Sequence, residues 1–197
     1  LRHGPVSIEG SYDEALAAPY VIEEVKKAEK EGYHAVSLDC AMDPSLRAAR
    51  EAVNIPVTSG GEASYLLALA LGNKFSVVTV LKSTADAIKE NLRKYGLESR
   101  VASVRYANVP VLELENEEKA FQAILVEAKK AIEKDEAEVI VLGCTGMSPL
   151  TQKLQQQLGV PVIDPAVASL KLAEIFASLG LAQSKVAYSA PSIKEVL

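Results

Sequence analysis

Tryptophan is absent from this 197-residue chain, and cysteine, histidine and methionine occur only twice each. So thin a supply of soft and nitrogen ligands argues against a protein-held metal, because a zinc site needs three or four ligands at recognisable spacing. Neither His3 nor His34 stands at such a spacing from a cysteine. There is no C-x-x-C pair of the thioredoxin type, no G-x-G-x-x-G turn and no phosphate-cradling G-x-x-x-x-G-K-[ST] loop, so neither a redox pair nor a nucleotide cofactor has an anchor. No apolar run reaches the roughly 20 residues of a membrane span. With 21 Lys and Arg against 26 Asp and Glu, the net charge of -5 also disfavours a nucleic-acid surface, which depends on clustered cations. The opening LRHGPVSIEG lacks the basic-then-apolar pattern of a secretion signal. Together with the scarce cysteine, that points to a cytoplasmic setting and to free thiols rather than a disulfide. A small-molecule substrate and no metal or other cofactor are the expectation.

What the chain does contain is a repeat. AVSLDCAMDPSLRAAREAVNIPV, from Ala35 to Val57, and VIVLGCTGMSPLTQKLQQQLGVPV, from Val139 to Val162, follow the same order. In each, an apolar run ends at Cys, a Met and a Pro-x-Leu follow, then a polar helix-like stretch, then x-Pro-Val. The spacing from Cys40 to Ile55 and from Cys144 to Val160 agrees to one residue. Both cysteines of the chain therefore sit at the same point of a duplicated unit.

Around the repeat, short Val/Ile-rich runs alternate with longer helical patterns, the signature of βαβ units on parallel sheets. Strands are expected at 34–38, 55–57, 75–80, 100–104, 138–142 and 160–163. Helices are expected from Glu14 to a stop at Gly32, from an Asp43-Pro44 cap to Val53, and over 63–71 behind a Ser59/Glu62 capping box. Further helices should start at Ser83 or Thr84, run over the Lys/Glu-rich 117–134, start at Ser148-Pro149, and extend from an Asp164-Pro165 cap to Leu179. A break at Gly72-Asn73 separates two lobes. The first unit lacks an opening strand, from which residues upstream of Leu1 are expected.

In open α/β sheets ligands sit beyond the carboxyl ends of the strands, where both cysteines fall. A lone cysteine is most often a small buried hydrophobe, but that reading leaves the matched register unexplained. A helix start beside each thiol would favour its ionised form. Cysteine hydrolase chemistry wants a partnering His, and His34 is expected on its strand. Two thiols facing each other across a carbon acid fit general acid–base work: one removes a proton, the other returns one to the opposite face, and backbone N–H groups hold the enolate.

These residues resemble the aspartate/glutamate/hydantoin racemase superfamily, specifically its hydantoin racemase branch. The resemblance rests on DCAMDPSLRAARE at 39–51 and VLGCTGM at 141–147, supported by GPVSIEGSYDEA at 4–15, FSVVT at 75–79 and VPVID at 160–164. It implies an α/β fold of two pseudo-symmetric lobes, each a small, mainly parallel sheet flanked by helices, with the active site in the cleft between them. Residues 1–73 plus 165–197 would form the first lobe and 74–164 the second. Cys40 and Cys144 become the acid–base pair. Ala41, Met42, Thr79, Thr145 and Gly146 would line the substrate, no cofactor would be used, and a homo-oligomer is implied. Amino-acid racemases of the superfamily follow the first Cys with Asn-Thr, whereas this chain has Ala41-Met42, which suits a neutral hydantoin ring, allantoin included. An amino-acid racemase, a related isomerase or decarboxylase on the same scaffold, and a non-catalytic two-lobed binding protein are the alternatives.

Overall fold

A computed structural model describes residues 3–192; the parts of the expected first lobe at 1–2 and 193–197 lie outside them. The fold is α/β, and every strand pairing among the described residues is parallel. A two-stranded sheet pairs β1 (Val36–Leu38) with β2 (Val57–Ser59). A four-stranded sheet is built from β3 (Phe75–Thr79), β4 (Val101–Tyr106), β5 (Val139–Leu142) and β6 (Val162–Ile163), in the order β4-β3-β5-β6.

The local sequence explains these elements. β5 reads VIVL and is buried at every position, as a parallel strand covered on both faces must be. Helix α5 (Glu117–Asp135) buries Ala120, Phe121, Ile124, Leu125, Ala128 and Ala131. That three-to-four spacing faces the sheet, while its Lys and Glu stay in water. On one face of the larger sheet, α5 and α6 (Thr151–Leu158) close a core around Phe121, Ile140 and Leu142. On the other face, α3 (Gly60–Leu71) and α4 (Lys82–Lys94) share a core with Phe75, Val77, Val141 and Met42. A third core joins α1 (Ser11–Lys30) and α2 (Leu46–Ala52) to β2 through Val21, Val25, Leu46, Val53 and Val57.

The last helix, α7 (Pro165–Leu179), starts on an Asp164 cap that accepts the Ala166 and Val167 N–H groups. It returns to the small sheet, where the Ser169 carbonyl accepts Thr58 Oγ1 at 2.9 Å and Ser37 Oγ donates to Ser169 Oγ at 2.7 Å. It also packs along α3. Each of these two helices follows the second strand of a repeat unit, so the duplicated sequence becomes two strand–loop–helix–strand–helix units whose final helices meet. Among the described residues, no helix is long and apolar enough to cross a membrane.

Three expected caps are replaced. Asp43-Pro44 does not open α2, which begins at Leu46, because Asp43 and Ser45 both take left-handed conformations (φ 55 and 58). The Asp43 carboxylate instead caps α3, accepting the N–H groups of Gly61 at 2.8 Å and Glu62 at 2.9 Å. That displaces the Ser59/Glu62 capping box: Ser59 Oγ donates to the Cys40 carbonyl at 3.1 Å, and Glu62 pairs with the buried Arg50. In the second unit, Ser148 lies within a 3-10 turn over Thr145–Leu150 and donates to Asp164 at 2.7 Å, so α6 starts only at Thr151. At α4, Thr84 caps the Leu81 N–H at 3.0 Å, while Ser83 is drawn away to the Glu9 carbonyl at 2.6 Å.

Candidate functional site

Cys40 stands two residues beyond the end of β1, and Cys144 two beyond the end of β5. The matched register of the sequence is thus a matched position at the carboxyl ends of two parallel strands. Thr145 Oγ1 donates to the Asp39 carbonyl at 3.3 Å. The residue after one cysteine therefore touches the residue before the other, across the two sheets. Both thiols are free and partly buried, and the field of Cys144 acts on Cys40.

Burial dominates the titration of both. It pushes the Cys40 thiol from an ordinary value of 9.0 up to about 12, opposed by the Met42 backbone N–H and reinforced by Cys144, Asp43 and Glu14. Burial also raises Cys144, opposed by the Gly146 and Met147 backbone N–H groups and reinforced by Asp39 and Glu9. The expected lowering by a helix start is therefore overturned. The amides do face the thiols, but α2 begins too far along the chain from Cys40 and only a 3-10 turn follows Cys144. Desolvation of a thiolate outweighs a few amides. The charged side chains acting on the pair are all carboxylates.

The other expected site residues divide. Thr145 and Gly146 flank Cys144 with part of their surface exposed, and a Cβ on Gly146 would meet Leu114 Cδ1 at 2.8 Å and Cys144 Sγ at 3.5 Å. Ala41 and Met42 are 3% and 2% exposed, so they offer backbone at most, and the Met42 side chain fills the core between α3 and the larger sheet. Thr79 ends β3 next to Cys144's strand, but its hydroxyl is fully buried and donates to the Gly143 carbonyl at 3.0 Å. A Cβ on Gly143 would lie 2.5 Å from Thr79 Cβ, so the two strands approach as closely as glycine allows. His34 is exposed ahead of β1, and the His3 ring lies tilted against Tyr20 at 5.7 Å between centroids. Among the described residues no three His, Cys, Asp or Glu side chains gather as a metal site.

A cavity of about 370 Å³ touches Cys40 and runs along β1 past Ile8, Val21, Val25 and Leu38. None of its lining residues comes from the larger sheet, so it is not the space between the thiols. Sequence reasoning misses the carboxylates whose charges act on the two thiols. Glu9 is held by the Val111 N–H, which its carboxylate accepts at 2.7 Å; it lies in the SIEG stretch, within the motif at 4–15. Asp43 is read from sequence as the cap of a different helix.

The sequence model of the Asp/Glu/hydantoin racemase family matches residues 1–173. The chain belongs to this family. The hydantoin racemase of Pseudomonas sp. (strain NS671) is 44% identical over 196 residues, which are 98% of this chain and 79% of that protein. Among solved structures, the allantoin racemase from Klebsiella pneumoniae superposes with a TM-score of 0.95 at 36% identity, covering 100% of this chain and 81% of that one. The allantoin racemase from Pseudomonas fluorescens gives 0.94 at 38% identity, covering 99% and 83%. This family member is an isomerase of the racemase type.

Proposed function

We propose that the chain racemises 5-substituted hydantoins, the ureido-substituted ring of allantoin among them, by proton transfer between Cys40 and Cys144 without a cofactor. The observation that carries this reading is the pair of matched thiols at the ends of β1 and β5, linked by the Thr145–Asp39 contact. In the reacting form one sulfur is thiolate and the other thiol. The thiolate takes the proton from ring C5, the C–H electron pair moves into the adjacent carbonyl as an enolate, and the opposite thiol delivers its proton to the other face. The two sulfurs exchange protonation state in each turnover. Backbone N–H groups at Met42, Gly146 and Met147, directed at the thiols, also suit a developing oxyanion.

Electrostatics favour a neutral ring over a free amino acid. The carboxylates of Asp43, Glu14, Asp39 and Glu9 act on the two thiols, and a substrate carboxylate placed between the sulfurs would meet repulsion from each. A hydantoin carries no such charge. A raised thiol pKa makes the thiolate scarce but a stronger base, which suits a weak carbon acid.

The test is loss of optical rotation from enantiopure 5-benzylhydantoin and allantoin in D₂O, with L-aspartate and L-glutamate in parallel. Racemisation with deuterium entering C5 supports the reading. Activity confined to the free amino acids would overturn the substrate, and Cys40→Ser or Cys144→Ser at the parental rate would overturn the two-thiol mechanism. A protein inert towards all four but stabilised by one of them would be a binding module.

A further inference from the structure

Behind the Cys40 thiol lies a buried polar cluster that the proton-transfer scheme does not use. Asp43, 8% exposed, is its centre. Beyond the two N–H groups at the start of α3, its Oδ2 accepts the hydroxyl of Tyr95 at 2.8 Å, and Tyr95 immediately follows α4. A second tie runs in parallel: Asn91 Nδ2, on α4, donates to the Met42 carbonyl at 2.5 Å. The loop's own backbone is drawn to the small sheet as the Cys40 carbonyl accepts Ser59 Oγ and the Asp43 N–H at 3.3 Å. A Cβ on Gly61 would strike the Ala41 carbonyl oxygen and lie 2.6 Å from Asp43 Oδ2, so α3 and the loop touch where only glycine fits.

We propose that Asp43 is a positioning residue for Cys40: bonded to α3 and, through Tyr95, to α4, it fixes the thiol-bearing loop against the four-stranded sheet that carries Cys144. This rests on the reading of Cys40 as one of the two acid–base groups. A loop with left-handed residues at 43 and 45 has no helix or strand to hold it, and an ångström of drift in a reacting group costs about a hundredfold in rate. Two further features mark the cluster as built for something other than stability. Burial pushes the Asp43 carboxyl up to about 6 despite its donors, so the ionised form weakens the fold. The Tyr65 hydroxyl beside it is wholly buried with no hydrogen-bond partner.

The experiment uses the full chain with Asp43→Asn, Tyr95→Phe, and both together. It measures kcat and KM for enantiopure 5-benzylhydantoin and allantoin per folded protein, and site-resolved iodoacetamide labelling of Cys40 and Cys144. Asn keeps the size but turns an N–H₂ towards donors that need an acceptor. We expect kcat to fall about a hundredfold in Asp43→Asn and about tenfold in Tyr95→Phe, with KM within about twofold. The double variant should be no worse than Asp43→Asn, since Tyr95 acts through it. In Tyr95→Phe, which leaves the Asp43 charge in place, labelling of Cys40 should rise about threefold or more while Cys144 is unchanged. The proposal is overturned if Asp43→Asn keeps parental kcat, or if the two cysteines shift in parallel in Tyr95→Phe, which reports general loosening. Should Asp43→Asn fail to fold, Tyr95→Phe decides alone. Labelling does not depend on turnover, so a fully active Cys40→Ser would sink the catalytic reading while the labelling ratio in Tyr95→Phe still decides whether the Asp43 cluster holds the loop.

Discussion

The resting state of Cys40 gives the sharpest quantitative test. A thiol at about 12 rather than 9.0 holds about a thousandfold less thiolate at neutral pH than an ordinary one. Its thiolate is, however, the better nucleophile. With a Brønsted slope of about 0.4–0.5, reactivity recovers about twentyfold. The net expectation is alkylation by iodoacetamide about fiftyfold slower than that of a small free thiol at pH 7.5, and slower still where partial burial blocks the reagent. The profile matters more than the absolute rate. Between pH 7 and 10 the Cys40 rate should climb about tenfold per pH unit without levelling, whereas the free thiol flattens as it passes its own pKa. Peptide mapping by mass spectrometry separates Cys40 from Cys144. A Cys40 profile that levels off below pH 9, or a rate above the free thiol's at pH 7.5, would refute the claim that burial and the carboxylates of Asp43 and Glu14 outweigh the backbone amide. A low-pKa thiolate would then have to replace the scarce, strong base proposed above.

Three other outcomes follow from the same geometry. If a thiolate starts the reaction, kcat/KM for hydantoins should rise about tenfold per pH unit from 7 to 9, and a flat profile would show that the free enzyme is already ionised. Gly61→Ala should destabilise by about 1–3 kcal/mol, more than Gly146→Ala, because its Cβ meets a carbonyl and a carboxylate while that of Gly146 meets a movable leucine methyl and, at 3.5 Å, the Cys144 sulfur; equal melting temperatures in the two variants would contradict this. Asp43, raised to about 6 by burial, holds its proton when folded at pH values where the unfolded chain has lost it. Its contribution therefore falls as pH rises from about 4 to 6, by about 3 kcal/mol in all. The stability of Asp43→Asn relative to the parent should improve over that interval in urea titrations, and a constant difference would show that Asp43 titrates normally.

Much of this architecture is written locally. Strand and helix positions follow from apolar period, and β5 or α5 can be placed within a residue or two because VIVL and the 120–131 apolar stripe admit little else. Caps mislead where a side chain has two suitors. Asp43-Pro44 has the composition of a helix start, yet its carboxylate serves α3, which is 17 residues further on at Gly60 and reaches it only because β1 and β2 pair. Ser59 and Ser83 are drawn off in the same way by the Cys40 and Glu9 carbonyls. The thiols themselves are legible through repetition. Their protonation is not, because desolvation depends on everything packed around the sulfur, and the sequence near each cysteine shows only the amides.

The two copies of the repeat diverge where it matters for a racemase. On the two-thiol reading proposed above, opposite faces of one carbon need matched bases, but the substituents around that carbon are not alike, so the walls cannot be. After Cys144 the chain turns at once into a 3-10 segment whose Thr145 and Gly146 remain partly exposed. After Cys40 it buries Ala41, Met42 and Asp43 and is bolted to α3 and α4. The second loop leaves side-chain and backbone surface exposed next to its thiol, and the first leaves little exposed after its own. Substitutions that change ring-substituent preference should therefore concentrate at Thr145 and Gly146, and those that change rate without preference at Asp43, Asn91 and Tyr95. A screen that found specificity altered mainly from the Cys40 side would mean that this division of labour is the wrong way round.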